Sequence, residues 1–130
     1  MPTSALFFGH EIYRNSSYGE KHPLSIPRVS TCIDLCRAMG WLGDDAYVDS
    51  RQASDEEMAR FHCPEYLAAL ARAEREGRVD GETKARHNIG NFENPVFPEI
   101  YRRPAVSAGA GIDAAGRLLA ENRRAVYSPA

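Results

Sequence analysis

The run Ser4-Ala5-Leu6-Phe7-Phe8, which Gly9 follows, is a compact segment of apolar and aromatic residues near the start of the chain. A short, continuous apolar segment of this kind is typical of a strand that is buried on both faces, as strands of parallel sheets are. The sequence therefore predicts a first β-strand over Ser4 to Phe8, and the elements that follow show what covers it.

A long polar segment and then a helix follow this strand. Periodicity is lost over residues 10–28, where Gly and Pro are frequent, so we predict a loop, and long loops in compact domains are usually functional. Apolar residues then recur at helical spacing from Val29 to Met39, and Gly40 is placed to end the helix in a left-handed conformation. A short strand over Ala46-Tyr47-Val48 is predicted next.

Two helices are predicted in the middle of the chain. Ser54 and Glu57 have the spacing of a capping box, which predicts a short helix that ends near Phe61. A second helix begins at Pro64, since proline is tolerated in a first turn, and it ends at Gly77.

The last third of the chain is predicted to be less regular. Residues 79–88 are polar and turn-like, and three prolines predict that any helix over 97–103 is short or kinked. A last helix is predicted over 112–122, and a strand begins near Arg124. Strands that alternate with helices predict an α/β fold with a parallel sheet, incomplete because few strand candidates are visible.

Composition excludes several classes of protein. The 130 residues carry a formal net charge of −2, so no basic field attracts nucleic acid or a membrane surface. Since the apolar run Ala5 to Phe8 has four residues and a signal peptide needs about 7 to 15, we expect no secretion and no membrane span. Three cysteines, an odd number, favour a reducing, cytoplasmic location.

Four motifs carry a family resemblance, and they occur in the order and with nearly the spacing of that family. They are Tyr18-Gly19-Glu20-Lys21-His22-Pro23 with Pro27-Arg28, Arg60-Phe61-His62-Cys63-Pro64-Glu65-Tyr66-Leu67, His87-Asn88-Ile89-Gly90 with Glu93-Asn94-Pro95-Val96-Phe97-Pro98, and Ser107-Ala108-Gly109-Ala110-Gly111. Together they resemble the amino-terminal portion of the histone deacetylase superfamily, most closely its bacterial deacetylase-like and acetoin-utilisation members. The likeness covers essentially the whole chain.

This resemblance implies a fold, an activity and three substrate-binding residues. The fold is the arginase/deacetylase-like three-layer α/β fold, and the activity is zinc-dependent hydrolysis of acetylated amines. Glu93 stands where the family usually has an aspartate that grips the substrate backbone at the pocket rim. Arg28 matches an arginine beside an internal channel at the pocket foot, and His22 lies in the loop beside the pocket mouth.

The catalytic motifs of the family have no counterpart in this sequence. These motifs are the Gly-Gly-x-His-His pair, the Asp-x-Asp-x-His-His metal segment, a second metal-binding aspartate and a tyrosine at the oxyanion. We therefore expect residues 1–130 to be an amino-terminal fragment of a deacetylase-like domain, inactive alone, with no catalytic or metal residue and no zinc. The expected partner is the missing carboxy-terminal part or a second copy. The alternative is a stand-alone, self-associating interaction module, and the substrate stays open.

The cysteines offer two other kinds of chemistry, a metal site and a nucleophile. Cys32 and Cys36 lie one helical turn apart and, with His62 and Cys63, could form a soft zinc site. The pattern favours packing instead, because both cysteines share the face of Ile33, where a free thiol packs as a small apolar group. A nucleophilic Cys63 is disfavoured as well, because sequence neighbours at a helix start point in different directions.

Overall fold

The structure, a computed structural model, describes residues 5–15, 18–122 and 125–130. The elements in chain order are β1 (Leu6–Gly9), α1 (Ile12–Asn15), α2 (Arg28–Ala38), β2 (Tyr47–Asp49), α3 (Asp55–Met58), α4 (Pro64–Glu76), α5 (Gly81–His87), α6 (Arg102–Ala120) and β3 (Val126–Tyr127). The predicted strand residues Ser4 and Arg124 lie outside the described part of the chain.

The three strands form one parallel sheet in the order β2-β1-β3, so the predicted parallel α/β arrangement is confirmed. Phe7 pairs with Tyr47 on one side of β1 and with Tyr127 on the other. Leu6 and Phe8 are buried in one hydrophobic cluster with Ala110 and Ala114 of α6. Small residues on α6 allow this close packing, and α6 therefore covers one face of the sheet.

A second hydrophobic cluster joins α4 to the segment between α5 and α6. Its buried members are Ala69, Leu70, Ala73, Ile89, Phe97 and Ile100. The α4 prediction is confirmed at both ends, where Pro64 occupies the first turn and Gly77 adopts a left-handed conformation with φ of 67°. Four members of this second cluster also line a cavity, namely Leu70, Ile89, Phe97 and Ile100.

The turn predicted over 79–88 is wrong, because α5 occupies residues Gly81–His87. A polar helix forms here because Asp80 caps it, with its carboxylate accepting a 2.7 Å hydrogen bond from the Thr83 N–H. Asn88 ends the helix with φ of 54°, a left-handed conformation that asparagine tolerates.

The predicted start of the last helix is also wrong, because α6 begins at Arg102 and runs through Pro104 without a break. Proline is harmless there because it lies in the first turn, where backbone N–H groups have no partner within the helix. The Gly109-Ala110-Gly111 step of the fourth motif consequently lies inside α6. A Cβ on Gly109 would lie 2.2 Å from the Arg51 carbonyl oxygen, so only glycine allows this approach.

The remaining predictions are partly right. The capping box of Ser54 and Glu57 is present, although α3 ends at Met58 rather than near Phe61. The loop predicted over 10–28 contains the short helix α1. Helix α2 is confirmed, but it buries only Ser30 and Ile33 rather than the whole predicted stripe.

Among the described residues, none of the helices combines the length and the apolar character that crossing a membrane requires.

Candidate functional site

A cavity of about 670 Å³ lies between α4, α6 and the loop 88–101, and we call it the central cavity. Aromatic rings dominate its wall, namely Tyr13, Tyr18, Phe61, Tyr66, Phe97 and Tyr101. Glu93, Glu57 and Arg103 contribute charge to the wall. A concave, mostly apolar cavity with few charged groups is the usual form of a small-molecule site.

Arg103 is the cation of the central cavity, and two tyrosine rings hold it. Its guanidinium carbon lies 5.4 Å from the ring centroid of Tyr13 and 5.0 Å from that of Tyr18, within the range of cation–π attraction. Burial raises the pKa of the Tyr13 phenol, and the positive charge of Arg103 partly opposes that rise. The contacts with both rings therefore hold the Arg103 guanidinium at the cavity wall.

Tyr18 connects the central cavity to two smaller ones. The arginine cavity, of about 440 Å³, is lined by Arg28, and the histidine cavity, of about 330 Å³, is lined by His22; Tyr18 lines all three cavities. The Tyr18 ring stacks on the His22 imidazole with centroids 5.2 Å apart and contacts the Phe97 ring at 4.6 Å. Tyr18 thus lines the cavity of each of the three predicted site residues, which are Glu93, Arg28 and His22.

Glu93 is exposed and lines the central cavity from a loop that asparagines fix in shape. The Asn91 side-chain oxygen accepts a 2.8 Å hydrogen bond from the Asn94 N–H, and the Asn94 side-chain amide donates to the Asn88 carbonyl at 3.0 Å. The Gly90 N–H donates to the Asn94 carbonyl at 2.7 Å. Side-chain bonds to the nearby backbone are the usual way in which asparagine shapes a turn.

Arg28 and His22 lie outside the central cavity. Arg28 is the first residue of α2, is exposed, and makes no ion pair within the described residues. His22 uses its Nδ1 to accept a 3.1 Å hydrogen bond from the Leu24 N–H, which holds its own turn. The structure therefore places the three predicted site residues in three neighbouring cavities rather than in one.

Sequence reasoning missed Tyr13, Tyr101 and Arg103 as cavity residues. The hydroxyl of Tyr101 donates a very short hydrogen bond to Asp55, and burial together with this carboxylate raises the pKa of Tyr101 to about 12. Arg103 and Tyr101 lie at the start of α6, which the prolines led us to predict as irregular. A search for N-terminal helix positions that tolerate proline would have found the correct helix start.

Within the described part of the chain, no three His, Cys, Asp or Glu side chains are grouped so that they could hold a metal ion. The soft zinc site considered for Cys32, Cys36, His62 and Cys63 is therefore not assembled. Zinc sites in enzymes use about three protein ligands. The described residues accordingly do not fit the zinc of the deacetylase family.

The parallel sheet and its covering helices define an α/β protein, and its match to solved HDAC-homolog structures gives it the arginase/deacetylase-like fold. Residues 22–129 match the histone deacetylase domain family. The crystal structure of an HDAC homolog complexed with SAHA superposes with a TM-score of 0.89 and 30% identity, over 95% of this chain and 33% of that one. The crystal structure of an HDAC homolog from Aquifex aeolicus matches with the same values.

Relatives in sequence agree with this result. Histone deacetylase 8 of Xenopus tropicalis is 33% identical over 76% of this chain and 27% of its own length. The acetoin utilization protein AcuC of Bacillus subtilis (strain 168) is 25% identical over 85% of this chain and 28% of its own length. The chain belongs to the histone deacetylase superfamily, and it spans 27% to 33% of the length of these relatives.

Proposed function

We propose that this chain forms the amino-terminal part of a zinc-dependent deacetylase domain that acts on acetylated amines, and that it is inactive alone. The observation that carries the proposal is the match to the histone deacetylase domain over residues 22–129 in a chain that spans 27% to 33% of its relatives. The family's metal and catalytic motifs are missing from the sequence, which supports the second half of the proposal.

In this proposal, the chain supplies a wall and a rim of the substrate pocket. Glu93 binds the substrate backbone at the edge of the central cavity, with a reach one methylene longer than that of the family's aspartate. Arg28 serves the channel at the pocket foot, and the stack of His22 on Tyr18 supports the loop at the pocket mouth. The fixed asparagine loop around Glu93 and the shared position of Tyr18 support this division of roles.

The proposed partner is the carboxy-terminal part of the domain. Large apolar side chains are left exposed on this chain, with Phe61 at 89%, Leu119 at 87% and Trp41 at 71% of their full accessible area. Exposed apolar side chains that lie together in one patch usually mark a surface that another part of a protein covers. A carboxy-terminal part that brings the missing motifs would cover such a surface while it completes the pocket.

The test is complementation by the coding sequence that follows codon 130. We expect that sequence to encode a glycine-rich His-His segment, and we expect its product, co-expressed with this chain, to hydrolyse an acetyl-lysine reporter peptide. A matched pair uses the chain with Glu93→Gln and with Glu82→Gln, an exposed acid of α5 outside the central cavity. Loss of turnover with the first variant alone supports the proposal, whereas equal turnover with both variants overturns the role of Glu93.

The second candidate is the stand-alone, self-associating module. The observation in its favour is that β2 and β3 are unpaired edges of the described sheet, and such edges promote pairing between chains. Light scattering after size exclusion measures the mass of the purified chain directly. A dimer supports this candidate, and a monomer that unfolds cooperatively removes its basis.

A further inference from the structure

Asn91 makes three hydrogen bonds within the loop that carries Glu93. Its side-chain oxygen accepts from the Asn94 N–H at 2.8 Å. Its side-chain amide donates to the Asn88 side-chain oxygen at 2.6 Å and to the Asn88 carbonyl at 3.3 Å. Because Asn88 ends α5, one side chain joins the backbone directly after Glu93 to the end of that helix.

The base of this loop is held without the Asn91 side chain. The Gly90 N–H donates to the Asn94 carbonyl at 2.7 Å, and the Asn94 side-chain amide donates to the Asn88 carbonyl at 3.0 Å. Loss of the Asn91 side chain therefore leaves the two ends of the loop joined. What it removes is the bond to the Asn94 N–H, which fixes the backbone directly after Glu93.

The position of the Glu93 carboxylate depends on this backbone. No ion pair with another described residue holds the side chain, which is exposed and lines the central cavity. Phe92, the residue before it, contacts the His22 imidazole with ring centroids 6.0 Å apart, within the range of attraction between aromatic rings. The Glu93 backbone is thus held by a ring contact on one side and by the Asn91 bond on the other.

We propose that Asn91 is a positioning residue, which places the Glu93 carboxylate for substrate binding at the rim of the central cavity. This inference rests on the proposed function, in which Glu93 binds the substrate backbone. Asn91 is not among the described residues that line the central cavity, so it acts through the loop rather than on the substrate. A displacement of about 1 Å is enough to weaken the contact of such a group with its substrate.

The test measures KM and kcat for an acetyl-lysine reporter peptide, with this chain co-expressed with the product of the coding sequence after codon 130. We expect Asn91→Ala to raise KM by about tenfold and to change kcat by less than about twofold, because the weakened contact binds ground state and transition state alike. Asn91→Ser should lie between alanine and wild type, since a serine hydroxyl makes the same bond more weakly. Glu82→Gln, on α5 outside the central cavity, should match wild type.

Hydrogen exchange of each purified chain, followed by nuclear magnetic resonance, separates a local effect from unfolding. In Asn91→Ala, the Asn94 N–H should exchange faster than in wild type, while the N–H groups inside α4 and α6 keep their rates. Unchanged exchange at Asn94 would overturn the inference.

The kinetic outcomes separate this inference from the function on which it rests. An active wild-type mixture in which Asn91→Ala leaves KM unchanged, or lowers kcat alone, overturns the role of Asn91 and leaves the proposed function standing. Absence of turnover with the wild-type chain overturns the proposed function, and the role of Asn91 toward substrate with it.

Discussion

Glu74 on α4 holds the first turn of α6 through Arg102. One carboxylate oxygen of Glu74 accepts hydrogen bonds from the N–H groups of Tyr101 and Arg102, at 2.9 and 3.0 Å. The other accepts from Arg102 Nε at 2.6 Å. A side chain from one helix thus caps another, and both helices form walls of the central cavity.

Replacing Glu74 with alanine should destabilise the fold. The side chain is only 16% exposed, so its loss leaves two backbone N–H groups and a guanidinium without their acceptor. We expect the free energy of unfolding, measured by urea denaturation, to fall by about 1–3 kcal/mol. Glu76→Ala, at an exposed position on the same helix, should change it by less than about 0.5 kcal/mol. Equal effects of the two variants would show that the cap contributes nothing.

Gly109 and Gly116 lie on the same helix, α6. Replacing each with alanine should change the free energy of unfolding in opposite directions. A methyl group on Gly109 meets the Arg51 carbonyl oxygen and the Ala53 nitrogen, whereas one on Gly116 meets open space. We expect Gly109→Ala to lower the free energy of unfolding by about 1–3 kcal/mol through overpacking. Gly116→Ala should raise it by about 0.5–1 kcal/mol through helix propensity. Thermal and urea unfolding measure both changes. A Gly109→Ala variant as stable as wild type would contradict the close packing of α6 on Arg51 and Ala53.

The ion pair of Arg51 and Glu57 should make stability depend on acid pH. The Arg51 guanidinium, together with the Ser54 N–H, lowers the pKa of the Glu57 carboxyl to about 2. Because this folded-state pKa is depressed, the stabilisation is present above the ordinary carboxyl pKa and is lost as the pH falls from about 4.5 to about 2.

The measurement is the melting temperature of wild type and Glu57→Gln over this pH range. The difference between the two should be largest near neutral pH and should vanish only below about pH 2. Glu56→Gln, an exposed neighbour on α3, serves as the matched control and should follow wild type throughout. A difference that is independent of pH would contradict the lowered pKa of the Glu57 carboxyl.

The elements that sequence predicted correctly are those whose signals are local. The capping box of Ser54 and Glu57 and the Pro64 start of α4 need only their neighbours in the chain. The start of α6 has one local signal, a proline that a first helical turn tolerates, but the residue that caps it, Glu74, is 28 residues before Arg102. The N–H groups at its start find their acceptor only because α4 packs beside them in the folded chain.

The same distinction applies to the candidate site. Glu93 lies in a motif that carries the family resemblance, and the structure places it on the central cavity. Arg103 and Tyr13 belong to no such motif, and they meet only through the packing of α1 against the start of α6. The outward orientation of Cys32 was equally hidden, because helical spacing fixes a face but not whether that face is covered.

The most direct test of the account is the activity of the purified 130-residue chain on an acetyl-lysine reporter peptide in the presence of zinc. The account predicts no hydrolysis above the rate of the same mixture without protein, because the sequence contains no His-His pair and the proposed catalytic motifs include one. Turnover that scales with the concentration of the chain, and that a chelator abolishes, would contradict it.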